Sequence, residues 1–354
     1  MAIFVSSEEK LTFDDVLLVP QYSEVMSRSD VSTGTTLSRI TKLKIPVIAA
    51  NMDTVCEVAM ALEMHRLGGM GVLHRFNTIE QQCGLAEEII DKDPDAVFAA
   101  AIGVDGNAMA RVMGLIETGV KRFCVDVAHG DSFYAANTVR QIRLFADRES
   151  LEIDIIAGNV VTPEAVRGLS EAGANIVKIG VGPGTFCDTR QVAGTGYPQM
   201  SAILDCAESK FRQGATLIAD GGIKTSGDAA KALAAGADAV MLGGLLTGTL
   251  EAPGEVIETD NGLFKLGRGM ASLEALRERD ARTGEVTDVS NYAPEGVEAL
   301  IPYKGPVENT LNPFMAGVRS AMSYQGVFTI KDFQAKARFV KVSPTTLAEN
   351  RPRV

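Results

Sequence analysis

Residues 176–199, IVKIGVGPGTFCDTRQVAGTGYPQ, decide between the two large α/β architectures. Ile176, Val177 and Ile179 read as the end of a buried strand, and Gly180, Gly182, Pro183 and Gly184 then break any regular element. An open doubly wound sheet that binds a dinucleotide places G-x-G-x-x-G after such a strand, at the start of a helix. GVGPGTFCDTR does not have that spacing. Successive N–H groups in such a loop nest an anion instead, and nearby carbonyls can turn toward a cation. Cys187 is the soft nucleophile of the loop, with Arg190 three residues on to favour its thiolate. One cysteine in a loop is not a motif, and most free cysteines are packing residues. The flanking sequence therefore has to carry the reading.

On both sides of this loop, short apolar runs alternate with helical stretches. Eight runs read as strands: Pro46–Ala50, Gly71–His74, Val97–Ile102, Phe123–Val127, Ile153–Ala157, Ile176–Ile179, Thr216–Ala219 and Ala239–Leu242. Thr162-Pro163-Glu164 opens a helix that Gly173 ends, and Ser226 is expected to cap the helix DAAKALAAG. Eight strand–helix repeats predict parallel pairing with right-handed crossovers, and the closed solution is an α/β fold of the (β/α)8 TIM barrel type. In a barrel, functional groups collect just after the strands. Those positions hold Asn51-Met52-Asp53, His74-Arg75, Asp126 to Gly130, Gly158-Asn159, the Cys187 loop, Asp220-Gly221-Gly222 and Gly243-Gly244. His74 and His129 are expected as walls of that site.

Residues 1–45 read as a polar lead-in. After Glu251 the pattern changes to a strand pair turned at Asp260-Asn261-Gly262. Residues 277–296 are polar and almost free of periodicity, which predicts a mobile flap. A closing helix is expected over Leu311 to Val327, then a last strand in ARFVKVSP and a loose tail after Leu347. The expectation is one domain over 1–354, with the flap inside it.

The totals narrow the class. With 354 residues the chain can bury a large core. A net charge of -11 disfavours nucleic acid or an anionic membrane as a partner, so an anionic ligand needs a local pocket of N–H groups and a few cations. No apolar run reaches the length of a transmembrane span. The acidic N-terminus lacks a signal-peptide core. Five scattered cysteines without a CxxC pair, and three histidines, argue against structural zinc and for a reduced, cytoplasmic protein.

GVGPGTFCDTR followed by GTGYPQ resembles the active-site loop of the inosine-5′-monophosphate dehydrogenase and guanosine-5′-monophosphate reductase family, and the likeness runs over nearly the whole chain. It implies a purine nucleoside monophosphate as substrate and a nicotinamide cofactor. By that likeness Thr185, Gly222, Gly243 and Gly244 hold the phosphate and Asp220 holds the ribose hydroxyls. Met270 and Glu295, in RGM and PEG, meet the purine, where a carboxylate facing N1–H selects the 6-oxo tautomer. Asp126 and Ala128, in DVAHG, are expected near the nicotinamide ribose, with Asn159 at the bottom of the site. Carbonyls of Gly182, Gly184 and Cys187 match a potassium-like cation site, whose other ligands come from a neighbour's C-terminal segment; AENRP departs from that segment. A homotetramer is implied as well.

The resemblance leaves two directions open. Sulfur adds to purine C2 in both. If ammonia leaves and NADPH reduces C2, guanosine monophosphate becomes inosine monophosphate, a purine salvage step. If hydride leaves to NAD and water attacks, inosine monophosphate becomes xanthosine monophosphate. Thr189 matches the reductase threonine that helps ammonia leave; Leu273 stands at the accompanying acid position, with Glu274 one residue on. Arg282-Thr283 stands nearest to the flap Arg-Tyr pair by which dehydrogenases activate water. DVAHG, GNVVTPE, LGG, SYQG and the absence of an inserted regulatory domain lean to the reductase, whereas YAPEGVEALIPYKGP and the flap length lean to the dehydrogenase. The balance favours GMP reductase. A catalytically inert nucleotide sensor is the third reading.

Overall fold

Side chains alternate across a strand, so a sheet buried on both faces needs apolar residues at both parities. The computed structural model, which describes residues 7–208 and 214–350, resolves the predicted runs in that way. Eight parallel strands close in sequence order. They are β1 (Val47–Ala49), β2 (Met70–Leu73), β3 (Phe98–Ile102), β4 (Arg122–Asp126), β5 (Asp154–Val160), β6 (Ile176–Ile179), β7 (Thr216–Asp220) and β8 (Ala239–Leu242). The ring shuts where Met241 pairs with Ile48. Ile48, Val72, Ala101, Cys124, Ile156, Ile176 and Ile218 face the lumen and form one buried cluster. Val47, Leu73, Phe123, Ile155, Val177 and Leu217, of the other parity, join the shell under the helices. One long helix follows each strand: α1 (Val58–Arg66), α2 (Ile79–Lys92), α3 (Ala108–Glu117), α4 (Phe133–Arg148), α5 (Pro163–Ala172), α6 (Gln199–Ala207), α7 (Ser226–Ala234) and α8 (Val307–Tyr324). No helix of the described residues is long and apolar enough to cross a membrane.

The sequence-based boundaries shift in places, with local causes. β5 continues through Gly158 and Asn159 to Val160, and its register against β6 is irregular between Ala157 and Val160. Thr225, not Ser226, caps α7: its Oγ1 accepts Asp228 N–H at 3.2 Å, and the Asp228 carboxylate accepts Thr225 N–H at 3.0 Å. Such a reciprocal pair satisfies two helix-start donors at once. α5 begins and ends as expected, on Thr162 and on Gly173 at φ 115.

The lower end of the barrel is plugged by a small hairpin, Thr35–Thr36 with Lys42–Leu43, which sends Leu37 and Leu43 into the lumen cluster. Asp154, the first residue of β5, is 2% exposed and accepts Ser38 Oγ and Thr41 Oγ1, each at 2.5 Å. Arg122 donates to Thr41 Oγ1 at 2.7 Å and to Ile40 O at 2.7 Å. The lead-in also contributes a strand, Val16–Leu18, which pairs antiparallel with the predicted last strand, Phe339–Lys341.

Above the barrel stands a three-stranded antiparallel sheet of β9 (Ile257–Thr259), β10 (Gly262–Arg268) and β11 (Glu298–Pro302). The turn falls at Asp260-Asn261. The expectation of an irregular flap from residue 277 is corrected. A flap helix spans Leu273–Thr283, started by Ser272 Oγ accepting Ala275 N–H at 3.1 Å and ended by Gly284 at φ 73. Its polar surface carries no periodic signal, and an Arg282–Glu278 pair at 3.2 Å bridges successive turns. A short 3-10 turn follows at Val289–Asn291. The expected loose tail is helical over Thr346–Glu349, and residues 351–354 lie outside the described residues.

Candidate active site

A cavity of about 320 Å³ opens over the upper strand ends, large enough for a small ligand. Its floor is a row of polar residues at lumen-facing positions. Lys178 is 1% exposed, and its ammonium bonds the carboxylates of Asp126 and of Asp220, the latter at 3.1 Å. Asn51 Nδ2 donates to Asp126 at 2.9 Å, and Asn159 Nδ2 donates to Asp220 at 2.9 Å and to Gly180 O at 2.8 Å. Burial opposes the Lys178 charge, but the Asp126 and Asp220 carboxylates outweigh it and raise the amine well above its ordinary value. Burial likewise opposes ionisation of Asp126, and the Lys178 ammonium outweighs it, so the carboxyl lies below its ordinary value. Gly158 makes room: a side chain there would begin 2.7 Å from Lys178 Cβ.

The wall is the Cys187 loop. Cys187 is exposed, whereas Cys56, Cys124 and Cys206 are buried and Cys83 is half-buried. Burial pushes the Cys124 and Cys206 thiols up to about 12, which makes them poor nucleophiles. Cys187 Sγ lies 3.2 Å from Thr189 Oγ1, and that hydroxyl donates to Glu295 Oε2 at 2.8 Å. Cys187 also forms an isolated antiparallel bridge with Gly296. Asp188 N donates to Glu295 O at 2.8 Å and Val297 N to Phe186 O at 3.0 Å, so the nucleophile sits on backbone shared with the flap return. Arg190 is committed elsewhere, donating to Tyr197 O at 2.7 Å.

The far end of the cavity is glycine-rich. Gly221 and Gly222 follow β7 at φ 88 and 78, and Gly243 and Gly244 follow β8. Thr185 reaches across to Gly244, where an added methyl would lie 2.8 Å from Thr185 Oγ1. Only backbone can approach a ligand so closely, and the N–H groups of such turns suit an anion.

Fourteen of the predicted site residues line this one cavity: Asp126, Ala128, Asn159, Gly182, Gly184, Thr185, Cys187, Thr189, Asp220, Gly222, Gly243, Gly244, Met270 and Glu295. Glu274 and Arg282 do not. Arg282 instead pairs with Glu57 at 3.3 Å, and Glu57 also meets His74 Nε2 at 2.9 Å. His74 is therefore a buried residue behind the site and not its wall, which corrects that expectation; exposed His129 lies outside the cavity too. Arg75, expected among the strand-end positions, lines it, and so does Lys178, which has no assigned role in the sequence pattern. Parity offered a signal for Lys178: it is two residues beyond lumen-facing Ile176, as Asp126 is beyond Cys124 and Asp220 beyond Ile218.

The chain is similar to known proteins over nearly its whole length. The family described as IMP dehydrogenase / GMP reductase domain matches residues 10–353. A GMP reductase from Leishmania donovani is 36% identical, with 97% of this chain and 96% of that protein covered. An inosine-5'-monophosphate dehydrogenase from Bacillus subtilis is also 36% identical, with 98% and 96% covered. Among solved structures, a cysteine-to-alanine variant of GMP reductase from Trypanosoma brucei in complex with guanosine 5'-monophosphate superposes with a TM-score of 0.91 at 33% identity, covering 99% of this chain and 98% of that one.

Proposed function

The chain belongs to the IMP dehydrogenase / GMP reductase family of purine nucleotide oxidoreductases, and we propose that within it this protein is an NADPH-dependent GMP reductase. The observation that carries the reading is the line Cys187–Thr189–Glu295, at 3.2 and 2.8 Å. It puts a hydroxyl backed by a carboxylate beside the one exposed thiol among the described cysteines. In the proposed reaction Cys187 sulfur adds to C2 of guanosine monophosphate. The 2-amino group leaves as ammonia, taking the proton that the Cys187 thiol gives up, passed through the Thr189 hydroxyl that Glu295 orients. The thioimidate left on Cys187 accepts hydride at C2, the carbon–sulfur bond breaks, and inosine monophosphate and free thiol result.

Asp220 and its Asn159 partner are suited to the ribose hydroxyls, the glycine turns with Thr185 to the phosphate, and Met270 to the base. The cofactor fits as well. Asn159 Oδ1 is a buried acceptor with no partner among the described residues, and Asp126 stands beside it on the Lys178 row. Asp126, Ala128 and Asn159 would hold a reduced nicotinamide, which supplies the hydride. The cation reading fits less well. Gly184 O accepts Cys187 N–H at 3.2 Å, and the other ligands implied by the resemblance belong to a neighbour's C-terminal segment, from which AENRP departs. We assign no step to a monovalent cation.

The dehydrogenase alternative needs a base for water. Arg282, the flap candidate for it, is held by Glu57 outside the cavity. An inert sensor would have no use for the thiol–hydroxyl–carboxylate line. A homotetramer belongs to the same proposal, and light scattering checks it. The assay that tests the reading supplies guanosine monophosphate with NADPH, or inosine monophosphate with NAD, and follows nicotinamide absorbance and the product. Turnover in the first mixture alone is expected, and Cys187→Ser should lower it by about 10³-fold or more while nucleotide still binds. Turnover in the second mixture alone returns the dehydrogenase reading; none in either returns the sensor.

A further inference from the structure

The residue before the nucleophile is a large aromatic one, and its surroundings are built around it. Phe186 is 4% exposed. A methyl group added at Gly267 on β10 would lie 2.5 Å from Phe186 Cζ, 2.7 Å from Thr247 Cγ2 and 3.1 Å from Ile301 Cγ1. The ring tip therefore fills the space that a side chain at 267 would need, between the flap stem and the short helix Gly244–Thr247. Thr247 is tied back to the glycine turn, its N–H donating to Gly243 O at 3.2 Å. The residue before Phe186, Thr185, touches Gly244 in the same turn.

We propose that Phe186 is a positioning residue: its ring is a wedge between the glycine turn after β8 and the flap stem, and it sets where the adjoining Cys187 sulfur stands. The proposal rests on the reading of Cys187 as nucleophile and of the Gly243-Gly244 turn as the phosphate site. It goes beyond that reading in making the phosphate end of the cavity and the flap stem jointly fix the sulfur, through a residue that does not react. A reacting atom displaced by about an ångström loses about a hundred-fold in rate. The loss should appear in kcat, because the residues that contact the nucleotide are unchanged.

The test is a double-mutant cycle on the full chain with Phe186→Ala, Gly267→Ala and the pair together. Phe186→Ala is expected to lower kcat for guanosine monophosphate reduction about a hundred-fold, with KM changed less than about threefold. Gly267→Ala should also lower kcat, because its methyl drives the ring away. The double variant should lose less than the product of the two single losses, since the methyl then meets only Thr247 Cγ2 and Ile301 Cγ1. Phe186→Leu, which keeps apolar volume and guards against unfolding, should show the same kcat-only loss in smaller degree. Hydrogen exchange supplies a readout that needs no turnover: the Val297 amide, which donates to Phe186 O, should exchange about tenfold faster in Phe186→Ala. A Phe186→Ala enzyme within about threefold of the parent kcat, losses that multiply in the double variant, or an unchanged Val297 amide overturns the proposal. If Cys187→Ser leaves turnover intact, the catalytic reading fails instead, and the exchange measurement still decides the wedge.

Discussion

At the lower end of the barrel, Asp154 gives one carboxylate oxygen to two hydroxyls, Ser38 and Thr41, each at 2.5 Å, and is 2% exposed. At the upper end, Asp126 and Asp220 divide one ammonium between them, and their side chains keep 25% and 20% of their surface open. Both ends use carboxylates on lumen-lining strands. Below, the chain's own donors occupy the acid, and it serves to seat the hairpin plug. Above, each acid is braced by Lys178 and one amide and still presents oxygen to the cavity. The difference teaches that a strand-end acid becomes a binding group when the fold fixes its direction and leaves part of its acceptor capacity unused. The division matches the general separation of stability and chemistry between the two faces of such barrels.

Removing the shared cation is the strongest way to break this contrast. Lys178→Met leaves two half-buried carboxylates without their shared cation, which should cost about 2–3 kcal/mol in a denaturant titration. It should also lower turnover by about a hundred-fold or more. The sign of the pH effect follows from Asp126. Lys178 now holds its carboxyl below the ordinary 3.8, and without the ammonium the like charge of Asp220 raises it. The acid limb of the activity profile should then move to higher pH; an unmoved limb would remove Lys178 from the charge balance. Asp154→Ala tests the other end. It strands the Ser38 and Thr41 hydroxyls and should cost about 1–3 kcal/mol in the same titration, with kcat within about twofold of the parent because the plug is remote from the cavity. A large kcat loss there would dissolve the contrast. The smallest effect is expected from Glu274→Gln. This residue sits in the first turn of the flap helix outside the cavity, and a surface change of this kind stays within about 0.5 kcal/mol. A rate loss above tenfold in ammonia release would restore Glu274 as the proton donor.

The barrel was legible because its signals are local. Ile176–Ile179 and Ala239–Leu242 appear at their predicted boundaries, where apolar runs meet a glycine at once. β5 was read short, since Gly158 and Asn159 look like breakers although the strand passes through them. The flap helix has little hydrophobic period to read, because its apolar residues, with Ala275 and Leu276 buried, stand in the first turn and nearly all the rest is charged or polar; Ser272 and Gly284 are its local marks. Most site positions were legible too, as polar residues and glycines just past strand ends. Pairings across the chain were not. Glu295 meets Thr189 across more than a hundred residues, and Lys178 meets Asp126 and Asp220 through barrel closure. No local pattern states which carboxylate a lysine will find. Arg282 shows the same limit in reverse: its place in the flap suggested work in the cavity, and Glu57 took it.

The pairing of Val16–Leu18 with Phe339–Lys341 carries a separate consequence. Because Val16 lies opposite Lys341 in an antiparallel ladder, the two ends of the described fold leave it side by side. Barrel closure itself joins β8 to β1 and makes no use of that strand pair. The molecule is therefore suited to circular permutation: a linker could join the old ends, and a cut at the exposed Asp260-Asn261 turn could supply new ones, without crossing any barrel strand.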